Sequence, residues 1–245
     1  MERCRCRSCR SAASIAEAAN RAAAAGATLD RRPPRADRVS CAVATTTDSK
    51  LPSRDDALAL LDEWVQSNSL RRHCLAVEAA MRAQARERGG DEELWGLTGL
   101  LHDLDYDRYP DAQTGHPRMA MAELERRGYP PELIRGVASH ADYLGVPRES
   151  EMERALAAVD ELSGFVLACA YVRPEGIHGL SAKSVRKKLK QPSFAAAVNR
   201  EDIARGAAEL GVEPDELITA VVSALEPLAD ELGAGGRDGD GDGAR

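Results

Sequence analysis

From Leu51 onward, apolar residues recur every three or four positions, which is the period of a helix with one buried face. Ser53 with Asp56 three residues later predicts a capped helix start, and Leu58, Leu61, Trp64 and Val65 then fit one face. A second helix is predicted from about Ser69 to Glu87, with Gly89 as its stop. A third runs from Asp91 to about Leu101. His116-Pro117 opens a fourth, since proline suits a first helical turn, and Gly128 ends it. Pro130-Pro131 starts a fifth that reaches about His140, and a sixth spans about Glu149 to Tyr171. Short helices are expected over Ser181–Leu189 and Phe194–Val198. Asn199 caps Arg200–Leu210, and Pro214 begins a last helix to about Leu232. No segment alternates with the period of a strand. The expected fold is an all-α, compact multi-helix bundle over 51–232.

Both flanks differ from this core. Residues 1–50 are rich in Arg, Ala, Ser and Thr and are interrupted by Pro33-Pro34; they bury too little to offset ordering and are expected to be disordered. Cys4, Cys6 and Cys9 in this stretch read as an accidental cluster rather than a metal knuckle, because no second ligand pair follows. The Arg-rich start also fits a transit peptide or an over-extended start. Residues 233–245 are Gly/Asp-rich and expected to be disordered; Asp238, Asp240 and Asp242 lack the later bidentate Glu of a calcium loop.

Composition narrows the function. Aromatics are 4% and the net charge is −7. The first fifty residues carry ten Lys/Arg against five Asp/Glu, which leaves −12 for the rest. An acidic domain argues against a nucleic-acid partner. No run of about 18 apolar residues is present, so no membrane span is expected. There is no apolar leader segment. Cys74 and Cys169 fall in apolar helical patterns, and a reducing cytoplasm is the simplest compartment.

The chain has five histidines. His102-Asp103 ends an apolar helical run, where an imidazole and a carboxylate side by side suggest metal ligands. His73 lies on the apolar face of the second helix. His116 lies at the start of the fourth and His140 at the end of the fifth. Asp160 sits in the apolar sixth helix, where an unpaired carboxylate would cost several kcal/mol. Each residue alone has an ordinary reading: a core histidine, a cap, a helix-end cation, a buried ion pair. His178 falls in a loop and reads as a non-ligand. Asp105 and Asp107, just past the pair, either orient an attacking water or cap the helix end. Lys183, Arg186, Lys187, Lys188 and Lys190 form a basic run with no acid between Glu175 and Glu201. Lys183, Lys187 and Lys188, helped by Arg173, are either a phosphate clamp or a solvated face.

Taken in order, His73, His102-Asp103, His116, His140 and Asp160 resemble the HD-domain superfamily of metal-dependent phosphohydrolases, specifically its small HDIG-type members. Gly99-Leu100-Leu101-His102-Asp103, Gly115-His116-Pro117, Ser139-His140-Ala141-Asp142 and Val159-Asp160-Glu161 carry the likeness over about 51–232. Leu104-Asp105 stands where the HDIG pattern has Ile-Gly. The resemblance implies one or two divalent transition ions. His73, His102, Asp103 and Asp160 would hold the first. Asp103 would bridge to a second on His116 and His140, or these two histidines would serve substrate phosphate and proton transfer. Mixed N/O ligands suit Mn, Fe, Co, Ni or Zn. The implied activity is hydrolysis of a nucleotide or other small phosphate ester by metal-activated water, with catalytic roles for Asp103, Asp105, His116 and His140. Two alternatives are a di-iron oxygenase on the same six ligands and a non-catalytic ligand-sensing module; the latter fits poorly with a full ligand set.

Overall fold

The computed structural model describes residues 51–236. Nine helices and two short 3-10 turns (Asp142–Leu144 and Glu226–Leu228) carry most of these residues, and the described residues contain no strand. The helices are α1 (Arg54–Trp64), α2 (Asn68–Arg88), α3 (Glu92–Leu101), α4 (Arg118–Arg126) and α5 (Pro131–His140), followed by α6 (Glu151–Tyr171), α7 (Ala182–Leu189), α8 (Arg200–Leu210) and α9 (Pro214–Leu225). The all-α bundle expected from the periodicity is what the described residues form. The expectations for residues 1–50, including Cys4, Cys6 and Cys9, and for 237–245 lie outside the described residues.

Local chemistry sets most boundaries. Ser53, Ser67, Asp91, Ser150, Ser181 and Asn199 each accept a backbone N–H from the first turn of the helix they precede. At α6 the cap is reciprocal, with the Glu153 side chain returning to the Ser150 N–H. Gly89 ends α2 in the left-handed region, φ 70°. Pro227 stops α9 at Leu225, and the chain continues as a 3-10 turn rather than as helix to Leu232. Residues 194–198, expected to be helical, form successive turns, with Ala195 at φ 44°. The core face of α1 is Ala57, Leu60 and Leu61, one position round from the expected stripe, and Leu58 and Trp64 are half-buried.

Packing then places the site. Seven consecutive residues of α3, Trp95 to Leu101, are buried, so this helix runs through the middle of the bundle against α2, α5 and α6. A Cβ at Gly99 would stand 2.9 Å from the Val77 carbonyl of α2. Only glycine permits that approach, and it draws α2 and α3 together beside His73 and His102. Gly206 does the same for α8 on α6, where a Cβ would meet the Ala157 carbonyl at 2.6 Å. Leu60, Leu75, Leu97, Leu100, Leu133, Leu156 and Phe165 fill the interior, each contributing about 1.5–3 kcal/mol by leaving water. The buried Glu78 carboxylate is held by Arg54 at 2.7 and 2.9 Å and by Arg82 at 3.0 Å, so α1 and α2 are joined by a fully paired charge. Residues 233–236 are ordered against the bundle: Ala234 is buried and its carbonyl accepts the Ile177 N–H at 2.8 Å.

Candidate metal centre

α3 ends at Leu101 in the middle of the molecule, and His102 and Asp103 project from that end. His73 comes from α2, Asp160 from the middle of α6, His140 from the last residue of α5, and His116 from the turn before α4. All six side chains converge. His73 Nε2 lies 3.0 Å from Asp160 Oδ1 and 3.3 Å from His102 Nε2, which is itself 3.3 Å from Asp160 Oδ1. Asp103 Oδ2 is 3.5 Å from His102 Nε2 and 3.8 Å from His73 Nε2. Its other oxygen, Oδ1, faces away, 3.4 Å from His116 Nε2 and 3.5 Å from His140 Nε2. The last two nitrogens are 3.2 Å apart. Asp103 therefore stands between two donor sets, with one oxygen toward each.

The outer ring nitrogens determine what each imidazole offers. His102 Nδ1 donates to the Gly99 carbonyl at 2.8 Å and His140 Nδ1 to the Val137 carbonyl at 2.5 Å. His116 Nδ1 meets Asp105 Oδ1 at 2.8 Å. In their neutral form, with the outer nitrogen carrying the proton, these three rings turn an Nε2 lone pair inward. Asp105 is fully buried, and its Oδ2 accepts the Ala120 N–H at 2.8 Å. Both its oxygens are thus committed away from the cavity. This corrects the expectation that Asp105 handles an attacking water: it holds His116. Asp107 caps the start of α2 through the Gln66 and Ser67 N–H groups at 2.9 and 2.8 Å.

The electrostatics show how much charge is concentrated here. Burial opposes protonation of His102, but Asp103 and Asp160 outweigh it and raise its pKa to about 10. Burial pushes Asp103 and Asp160 the other way, yet His102 and the neighbouring histidines hold both carboxyls below the usual carboxylate range. Between these two carboxylates His102 favours its protonated form.

A cation fits this set. Donors about 2.0–2.2 Å from a common ion stand roughly 3.0–3.6 Å apart, and nearly all the inward-facing distances fall there. His73, His102 and Asp103 form one group with metal-ligating spacing, and Asp103, His116 and His140 form another. Asp160 joins the first through its short distances to both histidines. Imidazole with carboxylate suits a divalent transition ion.

A cavity of about 550 Å³ opens onto the centre. Tyr106 and Tyr143 stand on one side; the Tyr106 ring meets the His116 ring edge-on at 5.1 Å, and the Tyr143 hydroxyl donates to the His116 carbonyl at 2.9 Å. Small residues of α6 and α8 (Ala157, Gly164, Gly206) form the other. Glu161 lines the wall, its pKa raised by burial and by Asp160. Arg148 and Arg205 close the rim, both bonded to Asp142, and Arg148 also to Glu209 at 2.9 Å.

A family model described as HD domain matches residues 70–164. That stretch is similar to HD domains. The matched stretch holds all six converging residues and excludes α7 to α9. HD domains make up a superfamily of the metal-dependent phosphohydrolase type. Comparison with curated proteins found no match, and neither did comparison with solved structures.

The expected clamp does not reach the HD centre. Arg173, Lys183, Lys187 and Lys188 are absent from the cavity wall. Arg173 donates to the His178 carbonyl at 2.9 Å, and Lys188 lies over the Phe194 ring at 4.5 Å. The cations that do line the cavity, Arg148 and Arg205, are isolated in sequence and gave no local signal. Tyr106 and Tyr143 stand three residues from Asp103 and His140, and that adjacency was the one clue to them. His178 pairs with Glu226 at 3.2 Å, away from the cluster. Among the described residues, no helix is long and apolar enough to cross a membrane.

Proposed function

We propose that this HD domain is a metal-dependent phosphohydrolase acting on a small phosphate ester, a nucleotide or another phosphorylated metabolite. The observation that carries this reading is Asp103, whose two oxygens face separate donor sets beneath an open cavity. His73, His102, Asp160 and Asp103 Oδ2 would hold one ion; His116, His140 and Asp103 Oδ1 would hold a second. Bound divalent ions supply a water of lowered pKa and polarise a phosphoryl oxygen.

The chain's own groups do the rest. Asp105 fixes the His116 tautomer, so its Nε2 stays a lone-pair donor. Tyr143 ties the segment after His140 to the His116 backbone and keeps the two rings in register. The second set has fewer protein donors than the first, which favours entry of the phosphate there. The ester's organic part fits the space left by Ala157, Gly164 and Gly206, and the tyrosines shield one side from water. The cavity size is that of a metabolite site, and the acidic surface favours a small molecule over nucleic acid. Two buried free thiols, Cys74 and Cys169, fit a reducing compartment such as the cytoplasm.

The test is phosphate release from a panel of nucleotides and simple phosphomonoesters, after loading with Mn, Fe, Co, Ni or Zn. Metal-dependent release that disappears in Asp103→Ala is expected. A fully loaded wild-type protein that releases phosphate from none of them overturns the reading.

A further inference from the structure

The basic run that fails to reach the HD centre borders a different cavity. α6, α7, α8 and α9 enclose about 260 Å³ between them. The wall is apolar, formed by Leu162 of α6, Leu189 of α7, Ile203 and Ala207 of α8, and Leu217 and Ile218 of α9. The polar groups at its edge are cations, Arg186, Lys190 and Arg200. One carboxylate answers them: Asp215, 2.9 Å from Arg186. Lys190 has no ion-pair partner among the described residues. Arg200 spends its terminal nitrogens on backbone carbonyls, including Ala195 at 3.0 Å and Val198 at 2.6 Å, and its buried Nε has no partner. The edge thus keeps two positive charges unanswered by any carboxylate, in a domain whose overall charge is negative. Lys183 and Lys187 of α7 likewise form no ion pair among the described residues.

An apolar recess with an unbalanced cationic edge has one complementary ligand chemistry: an apolar chain ending in an anion. We propose that this cavity binds a single amphiphilic anion, an alkyl chain bearing a carboxylate or phosphate head, with the chain between α6, α8 and α9 and the head against Lys190 and Arg200. Burial of the chain supplies affinity, and the cations select the head. A free amphiphile is favoured over a bilayer because the apolar surface here is recessed. The large exposed apolar residues of the described chain, Tyr106, Tyr109, Tyr143, Tyr171 and Val172, all lie off α7, α8 and α9. The basic helix therefore offers no side chain for insertion into a membrane.

Calorimetric titration of the full chain tests this with octanoate, decanoate, decyl phosphate, decanol and decyltrimethylammonium, each below its micelle concentration. One saturable site for the anions is expected, tightening about fourfold per added methylene until the cavity is full, with decanol and the ammonium at least tenfold weaker. Lys190→Glu should weaken decanoate tenfold or more and leave decanol unchanged. Ala204→Trp, at an exposed position on the cavity edge, should block both while the melting temperature stays near that of the wild type. Equal affinity for decanol and decanoate overturns the proposal. So does binding that survives both substitutions, the absence of binding, or binding to anionic vesicles alone.

Discussion

The two halves of the candidate metal centre are held by different means. His73 and Asp160 project from within α2 and α6, and His102 from the buried end of α3, so the packing of these helices fixes all three. His140 is the last residue of α5, and His116 lies in the turn before α4, where side chains hold it: Asp105 behind its ring and Tyr143 across to its carbonyl. The first half offers four donor atoms counting Asp103 Oδ2, and the second offers three counting Oδ1. One half is a product of the core; the other is assembled on it. Damage should therefore spread differently from each.

The largest separation should come from His102→Ala or Asp160→Ala. Either removes a donor from the packed half and leaves the other buried charges unbalanced. The expected result is loss of the first ion and of all phosphate release, with the melting temperature of the metal-free protein also lowered; elemental analysis and calorimetry read the two effects. Asp105→Asn should be milder and one-sided. Removing a carboxylate behind a ligating histidine weakens metal binding about 10–100-fold, so a Co²⁺ titration should show the second ion weakened and the first unmoved. Equal weakening of both ions would erase the distinction between the halves.

pH offers a third test, through His102. Its folded pKa of about 10 lies above its unfolded value, about 6.5. The resulting stabilisation of the metal-free protein is complete below about pH 6.5 and is lost as pH rises toward 10. Asp103 and Asp160 are shifted down, so their contribution is present above about pH 3.9 and is lost in more acid solution. The metal-free melting temperature should peak between those limits. The groups facing His102 are His73, Asp103, Asp160 and His140. An entering ion must displace the His102 proton, so affinity for the first ion should rise by up to tenfold per pH unit across the neutral range. A pH-independent affinity would mean that His102 holds no proton to release. The smallest effect belongs to Tyr143→Phe, which removes one hydrogen bond worth about 1 kcal/mol. A fewfold weakening of the second ion alone is expected.

The same contrast explains what the sequence disclosed. Helix starts were legible because caps are local: Ser53, Asp91 and Asn199 each act within three residues. The packed half was legible because His73 and Asp160 are polar groups on apolar helical faces, and such groups need a reason. The role of Asp105 was not legible, since acids beyond the His-Asp pair could equally meet water, a cap or an imidazole, and the choice depends on where α4 lies. The basic run of α7 misled for a related reason. Charge density along a helix is visible in sequence, whereas the cavity it borders is set by how α6 to α9 pack. Residues 194–198 and the end of α9 were misjudged at the scale of a turn, where Pro227 and the positive φ at Ala195 prevailed over apolar spacing.

The most direct test of the central claim is the number of transition-metal ions per chain in the wild type and in Asp103→Ala, measured by elemental analysis after reconstitution and removal of free metal. The expected result is two ions in the wild type and fewer than one in Asp103→Ala, because the substitution takes a ligand from both sets. A wild type that holds no transition metal, or an Asp103→Ala protein that still holds two, would contradict it.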